Sequence, residues 1–338
     1  MKKNSILVTV AVSLVIFCIT VSSAVGQDKV WRLKYWSAFN ESQFEGRIEM
    51  RFFDAVKAAT GGRVTITPYW NSSLASRAEA LRGLENKVFE IAAMSCPDSP
   101  GQFPVSDVAS LPFLFKSSEE ALNALTALYK KGLMPEYNKF KLGTLLMTDM
   151  QYLGLVKKEV NKLEDLKGLK IRVSPGIATE TFNALGTTPV GMNANEVYMA
   201  ANRGVIDGYV TSSARMYATK LYEVSKIFID LPAWVGIRFL GVNHDTWNSF
   251  PDDIKAIMEK EIAKMSREWL QENTDEEQKC KGLLREKGMK FIALTPAEVA
   301  RWKQATQPVE AAFIKKLDGL KLQGQRAVNE AKTFTSSK

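Results

Sequence analysis

Residue types that commonly carry out catalysis are scarce in this sequence. Its 338 residues include one histidine, His244, and three cysteines. His244 precedes Asp245, as in catalytic dyads and metal pairs, but the two follow an apolar segment and come before Thr246, which is typical of a helix start. There is no glycine-rich phosphate loop, no Cys-x-x-Cys pair and no Gly-x-Ser-x-Gly element. The residue types favour binding over catalysis, and we predict no catalytic residue, no metal site and no cofactor.

The segment Lys170-Ile171-Arg172-Val173 is the best candidate for binding chemistry. Its alternation predicts a strand that turns the two aliphatic side chains to one face and the two cations to the other. An arginine offers two parallel N–H bonds that match a carboxylate, whereas a lysine offers only a point charge. On spacing alone a strand arginine is more often a solvated surface charge. Arg172 is therefore a candidate carboxylate ligand, with surface exposure as the alternative interpretation.

Strand and helix patterns alternate along the chain, which is typical of an α/β fold. Strands are predicted at 31–36, 63–69, 89–94, 142–147, 152–157, 170–173, 205–210, 226–230 and 239–243, and helices at 42–59, 77–87 and 117–131. A long helix is predicted to begin after Pro251, since no Gly or Pro follows until Gly282.

The length of the chain predicts two lobes, because 338 residues exceed the usual size of one core. No Ser-, Gly- or Pro-rich linker separates two halves, so we expect the chain to pass between the lobes more than once. Lobe I is predicted to comprise 27–150 and about 238–275, and lobe II 151–237 and about 276–310. Residues 311–338 are predicted to form a C-terminal helix and tail.

The N-terminal residues have the pattern of a secretory signal peptide. Lys2 and Lys3 precede an uncharged run at 6–21 and then small residues. The run is shorter than the roughly 20 residues that span a membrane, which argues against the alternative, a retained anchor. Cleavage is predicted after Gly26, with cleavage after Ala24 as the alternative. We expect a soluble protein exported to the periplasm.

The charge of the mature chain is moderately basic. Removal of residues 1–26 takes away two lysines and no acid, so the net charge falls from +8 to +6. The cations are scattered among acids, and export excludes nucleic acid as a partner. Cys96 and Cys280 remain, either as free thiols or as one disulfide. A monomer is expected.

Several motifs, in order, resemble the solute receptors of tripartite ATP-independent periplasmic (TRAP) transporters. The first is Leu-Pro-Phe-Leu-Phe at 111–115, followed by Leu-Lys-Gly-Leu-Lys-Ile-Arg-Val at 166–173. Asn-Glu-Val-Tyr at 195–198 and Val-Ile-Asp-Gly at 205–208 complete the series. The resemblance covers nearly all of the chain after residue 30. It implies a two-lobed periplasmic binding protein fold with a ligand cleft between the lobes and a long helix that braces the hinge.

The resemblance also implies ligand contacts. Arg172 matches the arginine that forms a salt bridge with the carboxylate of an organic acid. Phe39 lies in a loop that faces the cleft in the family, and Trp234 follows a crossing between lobes; the alternative for both is core packing. Tyr152 is a further candidate for shaping the site. Arg238 is a possible second cation, with a surface charge as the alternative.

Three departures from the family pattern bear on the ligand. Thr211 occupies the place of an asparagine that touches the ligand in many members, and its side chain has a shorter reach. Ala194 stands where some sugar-acid receptors have an aromatic residue. The second arginine that some members carry near Tyr152 is absent. These changes argue against assigning to this chain the sialic-acid specificity of some family members.

The sequence thus predicts a receptor that captures a small organic anion and delivers it to the small and large membrane subunits of a TRAP transporter. A receptor for another importer or a sensor kinase is the first alternative. An exported hydrolase with His244 as base is the second. The residues do not identify the acid.

Overall fold

The computed structural model of the protein describes residues 29–174 and 176–335. The predicted signal peptide, 1–26, lies outside the described residues.

The described residues form nine strands in one mixed sheet. Its order is β2-β1-β3-β8-β4-β7-β5-β6, and β9 pairs with β8. The strands are β1 (Trp31–Ser37), β2 (Val64–Tyr69), β3 (Ile91–Ser95), β4 (Lys141–Leu155), β5 (Lys170–Val173), β6 (Thr188–Gly191), β7 (Gly208–Thr211), β8 (Ile227–Val242) and β9 (Lys290–Ile292).

Eleven α-helices accompany the sheet in the described chain. They are α1 (Phe44–Ala59), α2 (Ala80–Glu85), α3 (Ser118–Lys130), α4 (Ile177–Ala184), α5 (Val197–Asn202), α6 (Ser213–Ala218), α7 (His244–Asn248), α8 (Asp252–Glu286), α9 (Pro296–Ala305), α10 (Gln307–Gly319) and α11 (Gly324–Lys332).

Two long strands connect the two ends of the sheet. The C-terminal half of β8 pairs with β3, and its N-terminal end pairs with β9. β4 lies antiparallel to β8 along most of its length, and its second half also pairs with β7. The register between β4 and β8 shifts between Met147 and Met150 and again between Gln151 and Leu153. Such irregularities bend strands, and here they lie between the two ends of the sheet.

We use lobe I for β1, β2, β3 and the adjoining halves of β4 and β8. Lobe II denotes β5, β6, β7, β9 and the remaining halves of β4 and β8. Among the described residues, one buried cluster packs α1 and α8 on lobe I, a second fills lobe II, and the largest extends through both lobes. Helix α8 therefore contributes to the core of lobe I and continues past it.

The buried side of α8 changes character along its length. Its first half buries apolar residues at helical spacing, namely Ile254, Met258, Ile262, Met265 and Trp269. Its second half buries Asn273, Glu277 and Lys281 among other residues. Buried charges must be paired, and Lys281 Nζ lies 3.0 Å from Asp230 Oδ1 of β8 and 3.3 Å from Glu277 Oε1. The same helix thus packs on lobe I and pairs ionically with the lobe II part of β8.

The predicted alternation of strands and helices is confirmed, with differences in length. The two strands predicted at 142–147 and 152–157 are one strand, β4, and those predicted at 226–230 and 239–243 are one strand, β8. β7 begins at Gly208 and not at Val205, because Gly204 has a positive φ of 70° and Val205 N donates to Ala200 O in the turn that ends α5.

The cysteines and His244, which were considered for other chemistry, are placed as follows. Cys96 and Cys280 are both buried and free. His244 begins α7, and its Nε2 lies 3.0 Å from the backbone oxygen of Asn138. None of the helices within the described ranges is long and apolar enough to cross a membrane.

Candidate ligand-binding site

The sheet brings three predicted site residues to one face in lobe II. Arg172 of β5 is opposite Tyr209 of the parallel strand β7. Two residues further along β7, Thr211 is opposite Tyr152 of β4. Residues that are paired across strands, or two apart on one strand, project from the same face. Arg172, Thr211 and Tyr152 therefore share a face.

The guanidinium of Arg172 is held by backbone carbonyls. Nε and Nη2 donate to Met192 O at 3.1 and 2.9 Å, and Nη1 donates over a longer 3.5 Å to Val210 O. The residue is 8% exposed. Arginine has five N–H bonds, so two remain free of partners within the described residues. A fixed guanidinium with spare donors is suited to planar recognition of a carboxylate.

In the part of the chain that the structure describes, no acid lies within ion-pair distance of Arg172. It forms no ion pair with the described residues. Burial lowers the pKa of its guanidinium from the ordinary value, and the positive charge of Arg215 lowers that pKa further. Both effects raise the free energy of the charged group, and an anion beside it would reverse them. The electrostatics of this site favour a negatively charged ligand.

Two more predicted residues lie beside this arginine. Thr211 is 7% exposed, and its hydroxyl makes no hydrogen bond with the described part of the chain. Ala194 is half-buried and follows the Met192 carbonyl by two residues. Arg172, Ala194, Thr211 and Arg215 line one small cavity. The structure thus brings together an arginine, a hydroxyl and a small residue around one cavity.

Tyr152 shares this face of the sheet, and its hydroxyl is hydrogen-bonded to α8. It is 2% exposed, and its hydroxyl donates to Glu277 Oε1 at 2.5 Å and accepts from Lys281 Nζ at 2.9 Å. Both partners belong to α8. The hydroxyl is therefore engaged with the helix that joins the lobes.

Trp234 lies on β8 opposite Gln151, at the crossing between the lobes. The side chain is half-buried. Its ring centroid is 6.3 Å from that of Phe182 in α4, in an edge-to-face arrangement with an interplanar angle of 78°. Trp234 thus packs against the core of lobe II and keeps part of its surface exposed.

The remaining predicted residues form a second group, in lobe I. Arg238 of β8 lies with its Cζ 4.0 Å from the ring centroid of Phe39, which follows β1. Both residues are buried. The arginine is therefore not the surface charge that the alternative interpretation predicts, and each lobe contains one buried guanidinium.

Three features of these sites were not predicted from the sequence. The pairing of β5 with β6 brings the carbonyl of Met192 to Arg172, and α6 brings the cation of Arg215; the sequence contains no local signal for either approach. Glu49 is fully buried beside Arg238. It precedes Phe53 by four residues and Val56 by seven, a spacing that places it on the apolar face of α1. This spacing could have identified Glu49 as a buried acid from the sequence.

Burial and nearby charges also perturb acidic groups near these sites. Burial raises the pKa of Glu49 to about 7, and Ser37 and Arg238 oppose that rise. Burial raises the pKa of Asp149, in the irregular part of β4, to about 6, with Ser212 opposing. Two larger pockets, of about 510 and 540 Å³, contain none of the predicted site residues.

Comparison with known proteins decides the family. Residues 34–316 match the model of the family described as bacterial extracellular solute-binding protein, family 7 (DctP). The chain belongs to this family. It is a TRAP-type solute receptor, and proteins of this type are periplasmic, bind small molecules and work with membrane permease subunits.

Relatives of this TRAP receptor agree in fold and differ in ligand. The C4-dicarboxylate-binding periplasmic protein DctP of Rhodobacter capsulatus is 27% identical over 271 residues, which cover 78% of this chain and 81% of the relative. The crystal structure of a TRAP solute-binding protein from Desulfovibrio salexigens is similar with a TM-score of 0.83 and 25% identity, covering 90% of this chain and 95% of that chain.

A third similar protein is a marine metagenome TRAP receptor described as specific for aromatic acid ligands, solved with metahydroxyphenylacetate. Its TM-score is 0.77 at 22% identity, and the match covers 90% of this chain and 98% of that chain. The predicted family and the predicted two-lobed α/β fold are both confirmed.

Proposed function

We propose that this TRAP receptor captures a small organic acid between its two lobes, with Arg172 binding the carboxylate, and delivers it to membrane permease subunits. The observation that carries the proposal is the state of Arg172. Its guanidinium is 8% exposed, fixed by the Met192 and Val210 carbonyls, and has no ion-pair partner in the described chain. A carboxylate provides two acceptors and a negative charge, which are the two things this group lacks.

The residues around Arg172 add selectivity to this anchor. Thr211 can donate or accept one hydrogen bond to the acid, and Ala194 leaves room beside it. Arg215 adds positive charge next to the same cavity. Trp234 and Phe39 supply aromatic surface toward the remainder of the ligand. Tyr152 shapes the floor through its ring, since its hydroxyl is engaged with α8.

Two of the relatives described above are named for chemically different acids, a C4-dicarboxylate and an aromatic acid. Both ligand classes carry a carboxylate. This agreement supports the carboxylate anchor and leaves the rest of the ligand to the side chains that differ among receptors.

Closure of the lobes follows from the same contacts. A ligand can favour the closed state only through contacts that it makes in that state. Arg172 and Thr211 lie in lobe II, and Phe39 and Arg238 lie in lobe I. An acid that reaches both groups therefore stabilises closure, and no covalent bond is made or broken.

The proposal includes export as a monomer without residues 1–26. Native mass spectrometry of protein recovered from the periplasm should give a single chain that begins at Gln27. A chain that begins at Val25 would place the cleavage after Ala24. A mass that retains residues 1–26 would contradict the predicted cleavage.

A thermal-shift screen of carboxylic acids, with neutral and cationic solutes as controls, tests the proposed ligand class. We expect at least one acid to raise the melting temperature, because a ligand that binds only the folded state stabilises it. The same acid, at the same concentration, should give a smaller shift with Arg172→Ala. Stabilisation by neutral or cationic solutes only, with none by any acid, would contradict the proposal.

A further inference from the structure

A pocket of about 540 Å³ lies in lobe II, where strands β5 and β7 begin. Its lining includes Leu169, which precedes β5, and Ile206, which lies two residues before β7. Thr211 is the last residue of β7, roughly 16 Å from Ile206 along an extended chain. Within the described residues, none lines both this pocket and the small cavity at Arg172. The pocket is therefore separate from the proposed acid site.

Three lysines line this pocket, which we call the lysine pocket: Lys157, Lys158 and Lys226. Lys158 Nζ donates to the backbone oxygen of Asp165 at 2.5 Å. Lys157 and Lys226 are exposed, and their ammonium groups form no hydrogen bond or ion pair with the described residues. The strand ends bring these two together, since Lys226 N donates at 3.1 Å to the oxygen of Leu155, two residues before Lys157. Two ammonium groups without partners thus share one rim.

The acids of the lysine pocket do not pair with these two lysines. Asp207 and Glu223 also line it. Asp207 Oδ2 accepts from the backbone N–H of Lys170 at 2.8 Å, and Glu223 Oε2 accepts from the hydroxyl of Tyr198 at 2.7 Å. Three lysines against two acids leave the lining positively charged, and the unpaired ammonium groups are available as donors to an anion.

The floor of the lysine pocket is apolar. Val156, Leu169 and Ile206 line it, and each is at most 9% exposed. Ala201 and Val224 add further apolar surface. Small-molecule sites typically combine an apolar lining with a few polar groups, and a volume of about 540 Å³ lies in their usual range. The pocket therefore has the size and the chemistry to hold a molecule that is apolar at one end and negatively charged at the other.

We propose that the lysine pocket is a second binding site, for an organic anion with one negatively charged head group and an apolar body. The head group lies between the ammonium groups of Lys157 and Lys226, which supply charge and hydrogen-bond donors. The apolar body covers Val156, Leu169 and Ile206, and burial of its surface supplies the remaining affinity. Because the lining residues all lie beside strands of lobe II, the site acts independently of the acid at Arg172.

Two fluorescent probes that differ in one group test the proposal on the chain without residues 1–26. Anilinonaphthalenesulfonate carries a sulfonate, and phenylnaphthylamine has the same rings without it. We expect one molecule of the sulfonate probe to bind per chain, at least about fivefold more tightly than the neutral probe. Octanoate should displace the sulfonate probe, and octanol at the same concentration should not.

Charge reversal locates the bound probe. Lys157→Glu/Lys226→Glu should weaken the sulfonate probe by at least about tenfold and leave the neutral probe within about twofold. Lys157→Gln/Lys226→Gln, which removes the charges without reversing them, should weaken it less. The matched control Lys57→Glu/Lys260→Glu makes the same change of net charge at two exposed lysines of α1 and α8, and should bind both probes as the wild type does. Thermal melts of each variant without probe establish that it is folded.

Three results overturn the inference. Equal affinity for the two probes, or a sulfonate affinity that Lys157→Glu/Lys226→Glu retains, would show that the lysine pocket recognises no anion. Loss of the sulfonate probe in Arg172→Ala would place it at the proposed acid site, and the proposed function would stand. Lysine-dependent sedimentation with phosphatidylglycerol vesicles, without binding of the free probe, would assign these lysines to a membrane surface.

Discussion

Two buried arginines, one in each lobe, have opposite hydrogen-bonding environments. Arg172 in lobe II donates to the carbonyls of Met192 and Val210. Arg238 in lobe I has two nitrogen atoms without any acceptor in the described residues. Both are more than nine-tenths buried. The first is positioned by the backbone and has donors to spare, whereas the second is positioned by stacking on Phe39 and Trp269.

A buried guanidinium can be stabilised either by hydrogen bonds to backbone carbonyls or by stacking on aromatic rings. Backbone carbonyls satisfy part of the Arg172 guanidinium and so lower the cost of burying it. Arg238 instead stacks on the ring of Phe39 and is attracted by the charge of Glu49, with which it forms no ion pair in the described chain. The desolvation cost of Arg238 is therefore offset less fully within the described residues than that of Arg172.

The largest expected effect concerns Glu49, which distinguishes the surroundings of Arg238 from those of Arg172. Its pKa is raised from 4.5 to about 7, so between these values the folded chain holds a proton that the unfolded chain has lost. The free energy of unfolding should therefore fall as the pH rises through this window, by about 3 kcal/mol for this group. Glu49→Gln should lack that part of the fall in urea denaturation series. Parallel pH profiles of the variant and the wild type would contradict the account.

Tyr152→Phe tests whether the hydroxyl of Tyr152 contacts the ligand or instead stabilises the packing of α8. Its hydroxyl links Glu277 and Lys281 of α8, so its removal should lower the free energy of unfolding by about 2 kcal/mol. Acid affinity should stay within about twofold in calorimetry. Full stability combined with a large loss of affinity would make the hydroxyl a ligand contact.

Substitution of each arginine by methionine tests the difference between the environments of Arg172 and Arg238. Arg172→Met leaves the Met192 and Val210 carbonyls without a donor and should lower the free energy of unfolding by about 1 kcal/mol. Arg238→Met removes a buried unpaired charge and should raise it by about 1 kcal/mol. Urea denaturation at about pH 5, where Glu49 is protonated, measures both. Equal destabilisation by the two substitutions would remove the distinction.

The smallest effect is expected at Thr211. Its hydroxyl makes no hydrogen bond within the described residues, so Thr211→Val should leave stability unchanged. The affinity for the acid should fall two- to fivefold, or up to about 1 kcal/mol, because one ligand hydrogen bond is lost. Unchanged affinity would show that the hydroxyl does not replace the asparagine contact of related receptors.

Much of the fold could be predicted because its elements have local signals. The strand at 170–173 has the predicted bounds, and the start of α8 after Pro251 follows from the proline and the acidic first turn. The continuity of β8 was missed, because Pro232 and Gly236 inside it have the pattern of breaks. The register shifts opposite this segment accommodate them, and register depends on distant strands.

The site could be predicted only in part, for the same reason. The motif around Arg172 is local and identifies the residue. Its orientation depends on the carbonyl of Met192, which lies 20 residues away in sequence and is brought near by the pairing of β5 with β6. Glu49 and Arg238 are separated by most of the chain. Their approach is a property of tertiary packing, which no local pattern encodes.

The proposed role of Arg172 is to anchor the carboxylate. Titration calorimetry of the most stabilising acid into the wild type, Arg172→Ala and the exposed control Arg32→Ala tests it directly. We expect Arg172→Ala to weaken binding by at least tenfold, on the order of 1.4 kcal/mol or more, and Arg32→Ala to bind as the wild type does. Near-native affinity in a folded Arg172→Ala variant would contradict the account.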